Sequence, residues 1–212
     1  MTTAYEIAYR LAQEQLSGMD LSDVAFNGSA QLDDETLCID FLGETYKVED
    51  KGTRITRSGE ETKIGEKILI LHYLVTADGS PLSRDEITFE NVPGGQFYYS
   101  TYKARTIDYL IRVFSKGLKG ESFTKVTQQL GGRIVEHSGG TIKARFLVFP
   151  NVPIMLIMWL GDKETGSNFQ ILYDSSITRY LPLEDIVVVT EQLVHRLAKI
   201  AKSQLPSGPL YG

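Results

Sequence analysis

The chain holds a single cysteine, a single tryptophan and three histidines among 212 residues. A lone cysteine, Cys38, excludes an intrachain disulfide. It equally excludes a structural zinc site or an iron–sulfur cluster that draws three or four thiolates from one chain. None of the 19 glycines is followed by lysine, so there is no Walker-A loop in which backbone N–H groups and an ammonium jointly cradle phosphates. G-x-G-x-x-G is missing, and with it the Rossmann dinucleotide fingerprint. Neither H-E-x-x-H nor G-x-S-x-G occurs, and His72, His137 and His195 stand too far apart for a local zinc motif. A Ser-His-Asp triad assembled from distant residues stays open, because sequence spacing does not restrict it. The longest apolar run, Val152 to Leu160, has nine residues and is interrupted by Pro153. A membrane-spanning helix needs about 20, so no membrane association is expected. The amino-terminal residues carry no basic stretch leading into an apolar one, so no secretory signal is expected and the cytoplasm is the expected location.

What is present describes a globular protein: 42% hydrophobic and 23% charged residues exclude a disordered or collagen-like chain. Folding a chain of this length buries roughly 70% of its unfolded surface, so no covalent or metal staple is needed. The net charge of −5 hides an asymmetry. Residues 1–50 carry 2 basic and 11 acidic side chains, residues 101–150 carry 9 basic and 3 acidic ones. The average argues against nucleic acid as a partner, and no RNA-binding signature accompanies the basic window.

Chain order predicts the architecture. Ile7, Ala8, Leu11, Ala12 and Leu16 recur at helical spacing up to Gly18. Thr36–Leu42, Thr45–Glu49 and Thr53–Arg57 are β-rich runs divided by glycine-bearing breaks, which predicts an antiparallel meander. Ile68 to Val75 is apolar nearly all round; Glu66 and Lys67 leading in and Asp78-Gly79 leading out favour a helix over a central strand. Glu86–Glu90 reads as a short strand before Pro93-Gly94-Gly95 and the aromatic run Phe97-Tyr98-Tyr99. A helix is expected over Thr101–Lys116, with Arg105, Asp108, Arg112 and Lys116 sharing its polar face, and another over Glu121–Leu130. Arg133–His137, Thr141–Phe149, Ile154–Leu160 and Phe169–Tyr173 predict a second, four-stranded antiparallel sheet, whose third strand is apolar on both faces. Pro182, Glu184 and Asp185 mark the start of a long C-terminal helix, and Pro206 to Pro209 a frayed tail. The expected fold is therefore a single α+β domain over residues 1–212: mainly antiparallel meander sheets packed against helices, with a long C-terminal helix.

Three stretches concentrate chemistry. In the first, Gly94 and Gly95 precede Tyr98, Tyr99 and Arg105: adjacent glycines can turn backbone N–H groups toward an anion, and tyrosines offer flat faces with hydroxyl handles. The alternative is a glycine turn followed by core aromatics. In the second, Trp159 ends the apolar strand, either as packing or at the mouth of a pocket. In the third, Asp174, Ser176 and Tyr180 lie between the last strand and the last helix. They either line a polar mouth, or Asp174 pairs with Arg105 or Arg179 and pins the connection. His72 sits among apolar neighbours as a satisfied core histidine or a ligand contact. Cys38, in an alternating strand with no adjacent base, reads as a small hydrophobe.

His72-Tyr73-Leu74 with Pro81-Leu82, Pro93-Gly94-Gly95 with Tyr98-Tyr99, Arg105-Thr106, Leu130-Gly131-Gly132, Phe149-Pro150 with Pro153, Trp159 with Gly161-Asp162, Asp174 with Ser176, and Tyr180-Leu181-Pro182 with Glu184-Asp185 form a series. Over roughly residues 67–197 that series resembles the uncharacterised family of domain of unknown function 3786. The resemblance brings no activity. Similar proteins occur in anaerobic bacteria and archaea, some with a cysteine-rich iron–sulfur domain, which implies anaerobic redox or corrinoid-dependent one-carbon metabolism. Cys38 alone cannot hold a cluster, so iron–sulfur or corrinoid chemistry would have to come from a bound ligand or a partner protein. Three functions follow as expectations. The first is a ligand-binding or accessory module, with a pocket framed by Gly94, Gly95, Tyr98, Tyr99, Trp159 and the Asp174–Tyr180 connection. The second is an enzyme using Asp174, Tyr98 or His72 for proton transfer. The third is a docking scaffold presenting the basic helix.

Overall fold

In the computed structural model the described residues are 3–114, 120–161 and 166–203. They divide into two compact units, one of Met1–Ile87, Leu147–Pro153 and Tyr173–Val189, the other of Thr88–Phe146, Ile154–Leu172 and Thr190–Gly212.

In the first unit, Thr3 opens α1 (Ala4–Ser17) with a capping box: its hydroxyl accepts from the Glu6 N–H while the Glu6 carboxylate accepts from the Thr3 N–H. Two otherwise orphaned donors are thereby satisfied. Gly18 closes the helix. A further helix, α2 (Leu21–Gly28), capped by Asp20, was not expected from the sequence. Eight residues give barely two turns of periodicity to read. The meander follows as β1 (Gln31–Asp33), β2 (Thr36–Phe41), β3 (Glu44–Glu49), β4 (Arg54–Arg57) and β5 (Glu60–Glu61), hydrogen-bonded in that order and antiparallel throughout. The three expected strands are its centre. The two added edges, of three and two residues, are too short to alternate visibly. Leu37, Ile39, Phe41, Tyr46, Val48 and Ile55 supply its buried side chains.

The apolar run after the meander is helical, as expected: α3 (Ile64–Thr76) buries Ile68 through Leu71, Tyr73 and Leu74. Tyr73 stacks on Phe149 at 4.2 Å, and Phe149 stacks on Phe41 at 4.6 Å. The Tyr73 hydroxyl donates to the Gly28 carbonyl at 2.8 Å, so the ring's polar end is satisfied inside the core. Burial pushes this phenol far above its ordinary range.

The second sheet contains β6 (Glu86–Thr88), β7 (Arg133–Ser138), β8 (Thr141–Phe149), β9 (Val152–Trp159) and β10 (Asn168–Asp174) in the order β6-β10-β9-β8-β7. The four expected strands and the short early strand thus join one sheet, and β9 is buried on both faces. The helices between β6 and β7 are α4 (Gly95–Arg105), α5 (Ile107–Phe114) and α6 (Gly120–Gln129); α7 (Leu183–Ser203) is the long C-terminal helix. Within the second unit, Phe114, Phe123 and Phe169 meet pairwise at 5.4–5.6 Å. Each buried ring is worth about 1.5–3 kcal/mol in removed apolar surface.

One expected helix is corrected. Thr101–Lys116 is not one regular helix: α4 ends at Arg105 and α5 starts at Ile107, and between them Thr106, distorted from ideal helix angles at φ −114° and ψ −78°, donates its hydroxyl to the Tyr102 carbonyl at 2.7 Å. A threonine that bonds back one turn competes with the helix ladder. The polar face drawn through Arg105, Asp108 and Arg112 is therefore divided between α4 and α5, and Lys116 lies outside the described residues. Helix α4 also starts earlier than expected, so Phe97, Tyr98 and Tyr99 are helical rather than part of a loop. The expected tail at Pro206 to Pro209 is likewise outside the described residues. The architecture is α+β with two antiparallel five-stranded sheets, and no helix among the described residues is long and apolar enough to cross a membrane.

Candidate functional site

A glycine step builds the first part of the site. After β6, Phe89–Asn91 form a short 3-10 turn that closes with Val92 N–H donating to the Phe89 carbonyl. Gly94 then takes φ +83°, and a Cβ on Gly95 would stand 1.9 Å from the Phe89 carbonyl oxygen. Only glycine fits this approach, which starts α4 directly against the turn. From that start Tyr99, Tyr102 and Lys103 fall on one helical face, at i, i+3 and i+4. Tyr102 is buried and stacks on Phe89 at 4.0 Å.

Those residues line a cavity of about 320 Å³ together with Glu90, Ile107 and Ile111, with Trp159 from the end of β9 and with Asn168 through Ile171 of β10. Burial first, and then the charge of the Glu90 carboxylate, push the Tyr99 phenol pKa upward, so it stays protonated. Lys103 is ion-paired with Asp108. The lining is aromatic with a few polar groups, the composition of a small-molecule site. The volume is at the low end for such sites.

A second cluster lies in the first unit. His72, on α3, places Nδ1 2.5 Å from a carboxylate oxygen of Asp185 in the first turn of α7. The Asp185 side chain is only 10% exposed, while the imidazole is 25% exposed. Nε2 has no partner among the described residues. The Asp185 hydrogen bond raises the His72 pKa, against the opposing effect of burial. A carboxylate that fixes one ring nitrogen and leaves the other open is the arrangement that prepares a histidine for proton transfer.

The Asp174 cluster is also in the first unit, and it is closed upon itself. Its carboxylate accepts from the Ser83 N–H and hydroxyl, from the Arg84 N–H, and from the Ser176 N–H and hydroxyl at 2.6–3.0 Å. Burial alone would raise the carboxyl pKa, but these donors outweigh it and hold it at about 2. Neither expected arginine is its partner: Arg179 pairs with Asp78 at 2.8 Å and Arg105 with Glu191 at 3.4 Å. Tyr180 is buried and its hydroxyl donates to the Ser80 carbonyl.

Of the ten residues singled out in the sequence, Tyr99 and Trp159 share the aromatic cavity, and Gly94 and Gly95 shape its helix. Tyr98 is exposed and, like Arg105, does not line it. His72, Asp174, Ser176 and Tyr180 belong to the first unit. Sequence reasoning missed Asp185, taking it only as a helix-dipole residue. A signal was present: Asp185 falls four residues before Val189, on the stripe that α7 buries. Glu90 and Lys103 were also missed, since no short motif marks them, whereas Tyr102 continues the aromatic run that the sequence made conspicuous. No group of three or more potential metal ligands occurs among the described residues, and Cys38 is a free thiol. The residues present do not fit an iron–sulfur cluster.

Comparison with curated proteins finds no match, and comparison with solved structures finds none. A family model described as a domain of unknown function (DUF3786) matches residues 20–196. That span takes in the aromatic cavity, the His72–Asp185 pair, the Asp174 cluster and most of the chain, and the protein belongs to this DUF3786 family.

Proposed function

We propose that the protein is a cytoplasmic small-molecule-binding module whose ligand sits in the aromatic cavity of the second unit. The observation that carries this reading is that Tyr99 and Trp159, distant in sequence, line one cavity of about 320 Å³ together with Phe89, Tyr102 and Phe169. Flat apolar walls with a few polar groups suit a compact ligand with one aromatic or branched apolar body. The anaerobic redox or corrinoid setting implied by the family resemblance enters the same proposal as an accessory role, in which an iron–sulfur or corrinoid partner protein supplies the cofactor.

Trp159 is the chain's only tryptophan, so its fluorescence reports occupancy of the cavity. Titration with benzyl alcohol is expected to change that fluorescence saturably, and Tyr99→Ala to weaken binding about threefold to tenfold. A linear, non-saturating response in the wild-type protein contradicts the reading.

A second reading, proton-transfer catalysis, is favoured by the His72–Asp185 pair. As a general base, an imidazole so oriented should take a proton from water as that water attacks p-nitrophenyl acetate, releasing acetate and p-nitrophenolate and passing the proton on to solvent. If His72→Gln releases nitrophenolate as fast as the wild type, this reading falls.

A further inference from the structure

The charges around the aromatic cavity sharpen the choice of ligand. Two charged side chains line it, Glu90 and Lys103. Lys103 is engaged by Asp108, whereas Glu90 has no cationic partner among the described residues. The lining thus holds one carboxylate and one ammonium, and the ammonium is already matched by Asp108, which lies outside the lining. The basic window of residues 101–150 does not reverse this balance: Arg105 is paired with Glu191, Lys143 with Glu136, and the Arg112 guanidinium lies over the Tyr109 ring at 5.8 Å. None of the three lines the cavity.

The rings agree with the charges. The face of an aromatic ring is the negative end of its quadrupole and attracts a cation, most strongly for tryptophan. Cations of the chain lie over Tyr9, Tyr46 and Tyr109. None lies over Tyr99 or Trp159 among the described residues. Glu90 lines the same cavity as Tyr99 and Trp159, so a carboxylate stands in a site with aromatic walls.

We propose that the cavity takes a small organic cation, a protonated or quaternary ammonium on a compact apolar body, held between the Tyr99 and Trp159 rings and balanced by Glu90. This rests on the reading of the cavity as the binding site. An anionic ligand would meet a carboxylate and a lysine already neutralised.

The test compares three probes of one ring size by Trp159 fluorescence at low ionic strength: benzyltrimethylammonium, benzyl alcohol and phenylacetate. The cation is expected to bind about fivefold or more tightly than the alcohol, with phenylacetate weakest. Glu90 is exposed, so Glu90→Gln should fold normally. It should remove most of the cation's advantage and leave benzyl alcohol binding unchanged. If benzyl alcohol or phenylacetate binds as tightly as the cation, or if Glu90→Gln leaves the preference intact, the cation assignment is overturned while the cavity reading stands. If none of the three gives a saturable response, both are overturned.

Discussion

At the scale of single residues, the two buried carboxylates make opposite demands on pH. Asp185 raises the His72 pKa above its ordinary 6.5, so the folded state gains from the protonated ring. That contribution is complete below pH 6.5 and lost as pH rises through the raised value. Denaturant unfolding of the wild type at pH 5.5 and 8.5 should show the acid-side gain, and His72→Gln should abolish it. Asp185→Asn should cost about 1.5–3 kcal/mol at pH 5.5, the range for a charge-assisted hydrogen bond; equal pH dependence in wild type and variants would contradict the pairing. Asp174 behaves in the other sense. With a folded pKa of about 2 against an ordinary 3.8, it stabilises above pH 3.8, and the contribution is lost as pH falls toward 2. Asp174→Ala leaves the Ser83, Arg84 and Ser176 donors without their acceptor and should cost about 3 kcal/mol or more. Binding in the aromatic cavity, which Asp174 does not line, should be unchanged. A ligand affinity that falls with stability intact would instead make Asp174 a binding residue.

At the scale of elements, the start of α4 decides whether the cavity exists. Gly95→Ala forces a methyl into the Phe89 carbonyl. It should lower stability by about 1–3 kcal/mol, as overpacking does, and displace Tyr99 and Tyr102 with the helix. A normal melting temperature in this variant would show that the approach is not tight. By contrast, Phe97 and Tyr98 are 82% and 52% exposed on the same helix, and serine at either position should shift stability by no more than about 0.5 kcal/mol. The sequence made the long elements legible: α3 through its all-round apolar run, α7 through its stripe and Pro182, and the β7–β10 strands through glycine- and proline-rich breaks. It did not show α2, β1 or β5, which are too short to display a period. Nor did it show the break at Thr106, because a side chain bonding back to Tyr102 is a matter of geometry rather than pattern.

At the scale of the whole molecule, the division of charge along the chain describes composition better than it describes the site. The basic helix was expected as a docking surface, yet four residues of the basic window, Lys103, Arg105, Arg112 and Lys143, are committed to carboxylates or an aromatic ring. The candidate site was legible in part. Tyr99 and Trp159 stood out because aromatics beside glycines or at a strand end are conspicuous. Glu90, Lys103 and Asp185 did not, since a charged residue gains meaning only from what folds against it. Each unit carries its own cluster, the aromatic cavity in one and the His72–Asp185 pair in the other. The proposed binding role and the proton-transfer role are thereby separable by mutation. The most direct measurement is fluorine NMR on protein labelled with 5-fluorotryptophan, which carries one resonance, at Trp159. Addition of benzyl alcohol should shift that resonance saturably in the wild type and more weakly in Tyr99→Ala; a resonance that does not move, or moves equally in both, contradicts the aromatic cavity as the binding site.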